Sequence, residues 1–175
     1  MQPNYHVSMT DRVDAVIEQW QREMPDLPTE AMALFGRLGQ LAIAAEGAIN
    51  ATFARHGLQR GEFDVLATLR RSGAPFELSP SALAETLMLS RAGMTGRLDR
   101  LESGGWVRRI ADADDRRSIR VALTSKGVDR IDRVVVEHVD NEEGVLKALT
   151  RRDRDDLDRV LRKLLATLDN RRPLS

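Results

Sequence analysis

The 175-residue chain is about one domain long, and its 42% apolar content is enough for a core of its own, which excludes a disordered tail or a disulfide-held miniprotein. With no cysteine there is no disulfide framework, thiolate metal site or thiol switch, a composition that fits a reducing compartment. Net charge is zero but unevenly spread: residues 1–30 hold two Arg against six Asp or Glu, and residues 90–120 hold eight Arg against five, an acidic start and a basic, anion-facing middle.

The opening MQPNYHVSMTDRVDAV has no basic stretch leading into an apolar run, and no later segment holds ~18 uninterrupted apolar residues, so the expected compartment is the cytoplasm. From Asp11, the residues Val13, Val16, Ile17, Trp20 and Met24 recur at spacings of three and four until Pro25 and Pro28 intervene. This predicts an extra N-terminal helix and a stiff linker over 1–28. From about Thr29 a longer helix is expected to carry Leu34, Leu38, Leu41, Ala45, Ile49 and Phe53 inward and to stop near His56 and Gly57, a support helix over 29–59.

Residues 60–123 read as one unit. GEFDVLATLRRSG is a helix with Phe63, Leu66 and Leu69 on its core side. Ser79 is a candidate N-cap with Pro80 at the first helical position, and Leu83, Ala84 and Leu87 form the inner face of a short helix. After a brief turn, Ser90 caps a second helix with Met94, Leu98 and Leu101 inside, ended by Gly104 and Gly105. A short helix, a tight turn and a second helix with an exposed polar face form a helix-turn-helix. Trp106, Val107 and Ile110 then precede a charged turn, and Ile119, Val121 and Leu123 follow it in alternation, a hairpin that completes a winged helix.

Over 124–175, Thr124 caps a long helix to about Lys147, and a last helix follows Thr150. Its stripe of Leu157, Val160, Leu161, Leu164, Leu165 and Leu168 is too wide for such a short helical hairpin to cover, which implies burial against a second subunit; packing on the chain's own long helices is the alternative. The expected fold class is mainly α with a small β-hairpin, a winged helix-turn-helix with N- and C-terminal helices forming a dimerisation domain.

From about Leu34 onward this order of elements, with GEFDVLATL, GGWVRR and above all the wing DADDRRSIRVALTSKG, resembles the MarR family of bacterial winged-helix transcription regulators. The resemblance implies a homodimer that binds pseudo-palindromic double-stranded DNA and releases it on binding a small anionic or phenolic ligand. A wing carrying Arg116 and Arg117 is suited to place one guanidinium in a narrow A·T minor groove, with Asp114 or Asp115 orienting the fork; which of the two arginines enters stays open. On the recognition helix, Ser90, Arg91 and Thr95 lie on the exposed N-terminal half, Arg91 fitted to a bidentate contact with guanine. Ser90 also has a purely structural role available, as the helix cap.

Trp20, Asp64, Arg97 and Arg109 further resemble the pocket of the urate-responsive PecS- and HucR-like subgroup, which also carries an extra N-terminal helix. There, an aromatic plane and guanidinium forks suit a planar monoanion. Arg97, beside Leu98 and Leu101, is expected to pair with Asp64, so that an anion competing for Arg97 would move the recognition helix. Citrate, aconitate or a phenolic acid are the alternative effectors, and a structural Arg97–Asp64 pair with Trp20 as a core anchor is the alternative role for these residues.

The three histidines, His6, His56 and His138, are scattered, and no phosphate loop or nucleophile motif appears, so no enzyme, metal or cofactor is expected. A dimeric winged-helix module that binds another protein is the remaining rival; it would lack a steep loss of DNA affinity with salt.

Overall fold

The computed structural model describes residues 11–112 and 118–169. Its elements run α1 (Arg12–Glu23), α2 (Glu30–Arg55), α3 (Arg60–Arg71), β1 (Glu77–Leu78), α4 (Pro80–Thr86), α5 (Arg91–Ser103), β2 (Val107–Ala111), β3 (Ile119–Leu123), α6 (Ser125–Val145), a 3-10 turn (Leu146–Ala148) and α7 (Arg151–Asp169). They divide into two compact units with the boundary after Ala48, inside α2. No helix among the described residues is long and apolar enough to cross a membrane.

In the first unit, α1 starts because Asp11 caps it. Its carboxylate accepts from the backbone N–H groups of Val13 at 2.7 Å and Asp14 at 3.0 Å, while Asp14 accepts from the Asp11 N–H at 2.8 Å, a reciprocal box that satisfies otherwise unpaired donors. Arg37 of α2 reaches both acids, at 2.8 Å from Asp11, and holds the Asp11 carboxyl below the usual carboxylate range. These pairs are exposed and add little stability; the docking comes from Val13, buried over Gly36, where an added Cβ would sit 3.1 Å from Val13 Cγ1. Of the rest of the α1 stripe, Ile17 is half-buried and Val16, Trp20 and Met24 are exposed. So are Leu34 and Leu41 on α2, at 58% and 52%, with Phe35 and Ile43. The expectation that Leu34 and Leu41 point inward is thereby corrected: the helical period identifies a stripe, and none of the described residues covers that part of it.

The second unit holds the main core, with Phe53, Leu66, Leu69, Leu83, Met94, Leu98, Leu101, Val121, Ile131 and Val134 almost fully buried. Phe53, at the end of α2, stacks on Phe63 of α3 with ring centroids 4.4 Å apart. Between those helices Gly57 has φ +62°, and the Leu58 N–H donates to the Phe53 carbonyl at 3.0 Å, so the left-handed residue that ends α2 is the one that pays no Cβ penalty. Ser79, Ser90 and Thr124 each cap their helix by accepting a backbone N–H, as expected.

The sheet has the order β1-β3-β2, all antiparallel, with Val107 opposite Leu123 and Ala111 opposite Ile119. β1 was not anticipated: two residues carry no period-2 signal, and Glu77–Leu78 becomes a strand only by pairing with Ala122 and Val121. The end of the TSKG motif also has a structural cause. Gly127 is buried where an added Cβ would lie 1.9 Å from the Trp106 carbonyl oxygen, so only glycine lets α6 press on the start of β2. Thr124 completes the joint by donating its hydroxyl to the Gly105 carbonyl at 2.8 Å. Beyond it, α7 leaves Val160, Leu161, Leu164, Leu165 and Leu168 exposed.

Candidate nucleic-acid interface and effector residues

The helix-turn-helix is α4, the turn through Met88 at φ +52°, and α5. Met94, Leu98 and Leu101 anchor α5 in the core, which leaves Ser90, Arg91 and Thr95 on the exposed side of its N-terminal half. Ser90 accepts from the Gly93 N–H at 3.2 Å, so its hydroxyl proton remains for another acceptor. Thr95 spends its proton on the Arg91 carbonyl at 3.0 Å and keeps lone pairs outward. Arg91 has no ion-pair partner among the described residues.

Arg91 and Thr95 share a groove of about 400 Å³ with Ser79, Ser81, Ser118 and Ile119. The groove brings together the cap of α4, the start of α5 and the far end of the wing, the juxtaposition a winged helix uses to span adjacent grooves of a duplex. Ser81 and Ser118 escaped sequence reasoning because isolated serines carry no periodic signal; Ser79 was assigned only a capping role. The wing is held towards its far end by Arg120, which pairs with Glu77 at 3.1 Å and Asp112 at 3.4 Å, and the Asp112 N–H donates to the Ser118 carbonyl at 3.0 Å. Arg116 and Arg117, with Asp114 and Asp115, lie outside the described residues.

Of the four effector candidates, Asp64, Arg97 and Arg109 belong to the second unit and Trp20, 40% exposed, to the first. Arg97 lies half-buried across α3: a Cβ on Gly61 would come within 2.5 Å of its Nε. Asp64, one turn further along α3, is half-buried, and burial pushes its carboxyl above the ordinary value against the lowering fields of Arg60, Arg97, Arg71 and His138. The expected Arg97–Asp64 ion pair is not formed among the described residues. The guanidinium is drawn over the bare backbone at Gly61, and Asp64 feels it only as one of several surrounding cations.

Arg109 is engaged otherwise than expected. Its guanidinium donates to Asp99 at 2.6 Å and to Glu102, and its backbone N–H donates to Glu102 at 2.9 Å. The hydrogen bond it donates to Asp99 leads in stabilising its charge, with Glu102 adding to it. Both acids sit on α5, so Arg109 ties the recognition helix to the first wing strand. A second tie, Arg100 to the buried Glu62 at 2.7 Å, joins α5 to α3. Neither was legible in sequence, where a carboxylate's partner is set by the packing of distant segments. No group of three acidic or histidine side chains among the described residues is placed to hold a metal ion.

The MarR family profile matches residues 56–118, from just after α2 to just before β3. The chain is 40% identical over 160 residues to the HTH-type transcriptional regulator PecS of Dickeya dadantii, covering 91% of this chain and 96% of that protein. It is 33% identical over 113 residues to the transcriptional repressor MprA of Escherichia coli, covering 65% of this chain and 64% of that one. Among solved structures, a mutant MarR from Escherichia coli complexed with operator DNA superposes with a TM-score of 0.67 at 26% identity, over 80% of this chain and 99% of that one.

Proposed function

The chain belongs to the MarR family of DNA-binding transcription regulators, and from that premise we propose that it is a homodimeric repressor of a pseudo-palindromic operator, released by a small anion such as urate. The observation that carries the reading is the position of Arg97. It sits on the helix that Ser90 caps and that carries Arg91 and Thr95, and its guanidinium rests over Gly61 with no carboxylate bound to it among the described residues. An incoming anion therefore meets a half-buried cation with free donors, and drawing that cation away from Gly61 shifts the helix that reads the major groove. Differential contact of this kind is what couples a ligand to DNA. Asp64, with its raised carboxyl, supports a second element: in its protonated form it donates a hydrogen bond to an anion that a carboxylate would repel.

The exposed stripe on α7 and the uncovered Leu34, Phe35, Leu41 and Ile43 of α2 support a second copy as the dimer partner. Two-fold symmetry would then place half-sites about one helical turn apart. Urate is preferred over citrate and aconitate for its planar ring system, which suits stacking on an aromatic face such as that of Trp20; phenolic acids share a planar ring and stay the alternative effectors.

The test is a titration of the protein onto its own upstream DNA and onto a scrambled duplex at several fixed salt concentrations, with and without urate. Preference for the upstream DNA, a steep salt slope and release by urate are expected. Equal binding to both duplexes, or a flat salt response, would overturn the operator reading; tight binding untouched by urate would overturn the effector.

A further inference from the structure

A second cationic recess lies at the base of the wing, lined by Trp106, Lys126, Arg130 and Arg133. Trp106 directly precedes β2, and the three cations recur on the first turns of α6, where spacings of four and three place them on one side. Among the described residues, none of the three has a carboxylate partner, whereas Arg37, Arg70, Arg100, Arg109, Arg120 and Arg154 all do. Their protein contacts are to neutral carbonyls: Lys126 Nζ donates to Gly104 O at 3.0 Å, Arg130 to His56 O at 2.5 Å and Arg133 to Asp129 O at 3.0 Å. Such contacts fix the side chains but leave their charge uncompensated. Arg130 is further locked over the Trp106 ring, 5.3 Å from its centroid, and its Nε is buried without a hydrogen-bond partner.

We infer that Lys126, Arg130 and Arg133 form a phosphate-binding site distinct from both the operator face and the effector residues. Three cations lining one recess, with donors that no carboxylate of the described residues takes, suit a compact, multiply charged acceptor. The recess has a volume of about 150 Å³, below the roughly 300 Å³ of a typical organic-ligand pocket, which selects a phosphate-sized group over a planar ring system. The face of Trp106 that meets this cluster is taken by Arg130, which lies over the ring 5.3 Å from its centroid. The site is also remote from the operator groove. Five-residue strands separate the wing base at Trp106 from Ser118 at the far end, a span of about 16 Å. The shared chemistry is a phosphoryl group, of the free ion or of a phosphomonoester metabolite, each with at least three terminal oxygens to offer.

The experiment uses the full chain in a phosphate-free buffer at constant ionic strength, titrated with inorganic phosphate and, separately, with glycerol 3-phosphate. Calorimetry gives the affinity, and the indole N–H resonance of Trp106, assigned from Trp106→Phe, gives the place. Saturable 1:1 binding with a Kd of about millimolar order and a moving Trp106 resonance are expected. Lys126→Gln with Arg133→Gln, both on exposed positions, should raise that Kd about tenfold or more while leaving operator affinity unchanged. Phosphate binding alone assigns the free ion, and equal or tighter binding of the ester assigns a metabolite. An unmoved Trp106 resonance up to about 50 mM of either probe, or an unchanged Kd in the double variant, overturns the site. A loss of operator affinity in the double variant also overturns it, because these cations then serve the DNA backbone.

Discussion

Arg97 rests on Gly61: the guanidinium occupies the space a Cβ at position 61 would need, at 2.5 Å from Nε. Gly127 stands in the same relation to Trp106, but there the obstacle is a backbone carbonyl at 1.9 Å. The two glycines therefore answer the same substitution in opposite ways. Gly61→Ala meets the mobile end of a long side chain and gains helix propensity, so thermal stability should hold or rise by up to about 1 kcal/mol. Operator affinity without urate should fall and the further response to urate should weaken, because the guanidinium is already displaced. Gly127→Ala forces α6 off β2 and should lose about 3 kcal/mol. Thermal melts of both variants, read beside effector-release curves, check the pair; similar melting temperatures would contradict it.

The apolar stripe of α7 predicts a defined assembly. Leu164 and Leu165 are 42% and 60% exposed in the chain by itself. The wild type should sediment as a dimer, and Leu164→Glu with Leu165→Glu should sediment as a monomer with operator affinity lost, because two half-sites then no longer act together. Analytical ultracentrifugation at micromolar concentration reads this directly. A wild-type monomer would return the stripe to an unexplained surface.

Arg91 and the wing arginines should fail in different ways. Arg91→Ala should cost about 1–3 kcal/mol on the preferred operator and far less on scrambled DNA, the signature of lost base reading. Arg116→Ala with Arg117→Ala should weaken both duplexes and flatten the salt slope by about two. Fluorescence anisotropy at four salt concentrations separates the outcomes.

Asp64 makes stability depend on pH. Its folded carboxyl is raised above the unfolded value by burial, so the folded state holds the proton more tightly. That contribution is fully present below the unfolded value and is lost as pH rises through the folded one. Asp64→Asn removes the charge that burial disfavours, so its melting temperature should exceed that of the wild type at pH 7, and the difference should shrink as pH falls to about 4. A constant difference across that range would assign the effect to something other than ionisation.

Much of the DNA-facing half was legible in sequence because its determinants are local. Ser79, Ser90 and Thr124 announce helix starts through bonds spanning three residues, and Met94, Leu98 and Leu101 announce a buried face through their spacing alone. What escaped depends on distant packing. The pairing of β1 with β3 joins residues more than forty positions apart, and the bonds of Arg109 to Asp99 and Glu102 follow from how β2 lies on α5. The exposure of Leu34 and Leu41 is the same lesson in reverse, since periodicity marks an apolar face without saying what covers it. The chemistry at Arg97 was half legible: its burial follows from its core neighbours, whereas its seat over Gly61 in place of a pair with Asp64 does not.

The most direct measurement is the operator dissociation curve of wild type and Trp20→Ala under rising urate at one fixed salt concentration. Trp20 is exposed and outside the core of the DNA-reading unit, so both proteins should bind the operator alike without urate. Wild type should then release the operator as urate rises, and Trp20→Ala should need about tenfold more or fail to respond. Identical release curves for the two proteins would contradict the account.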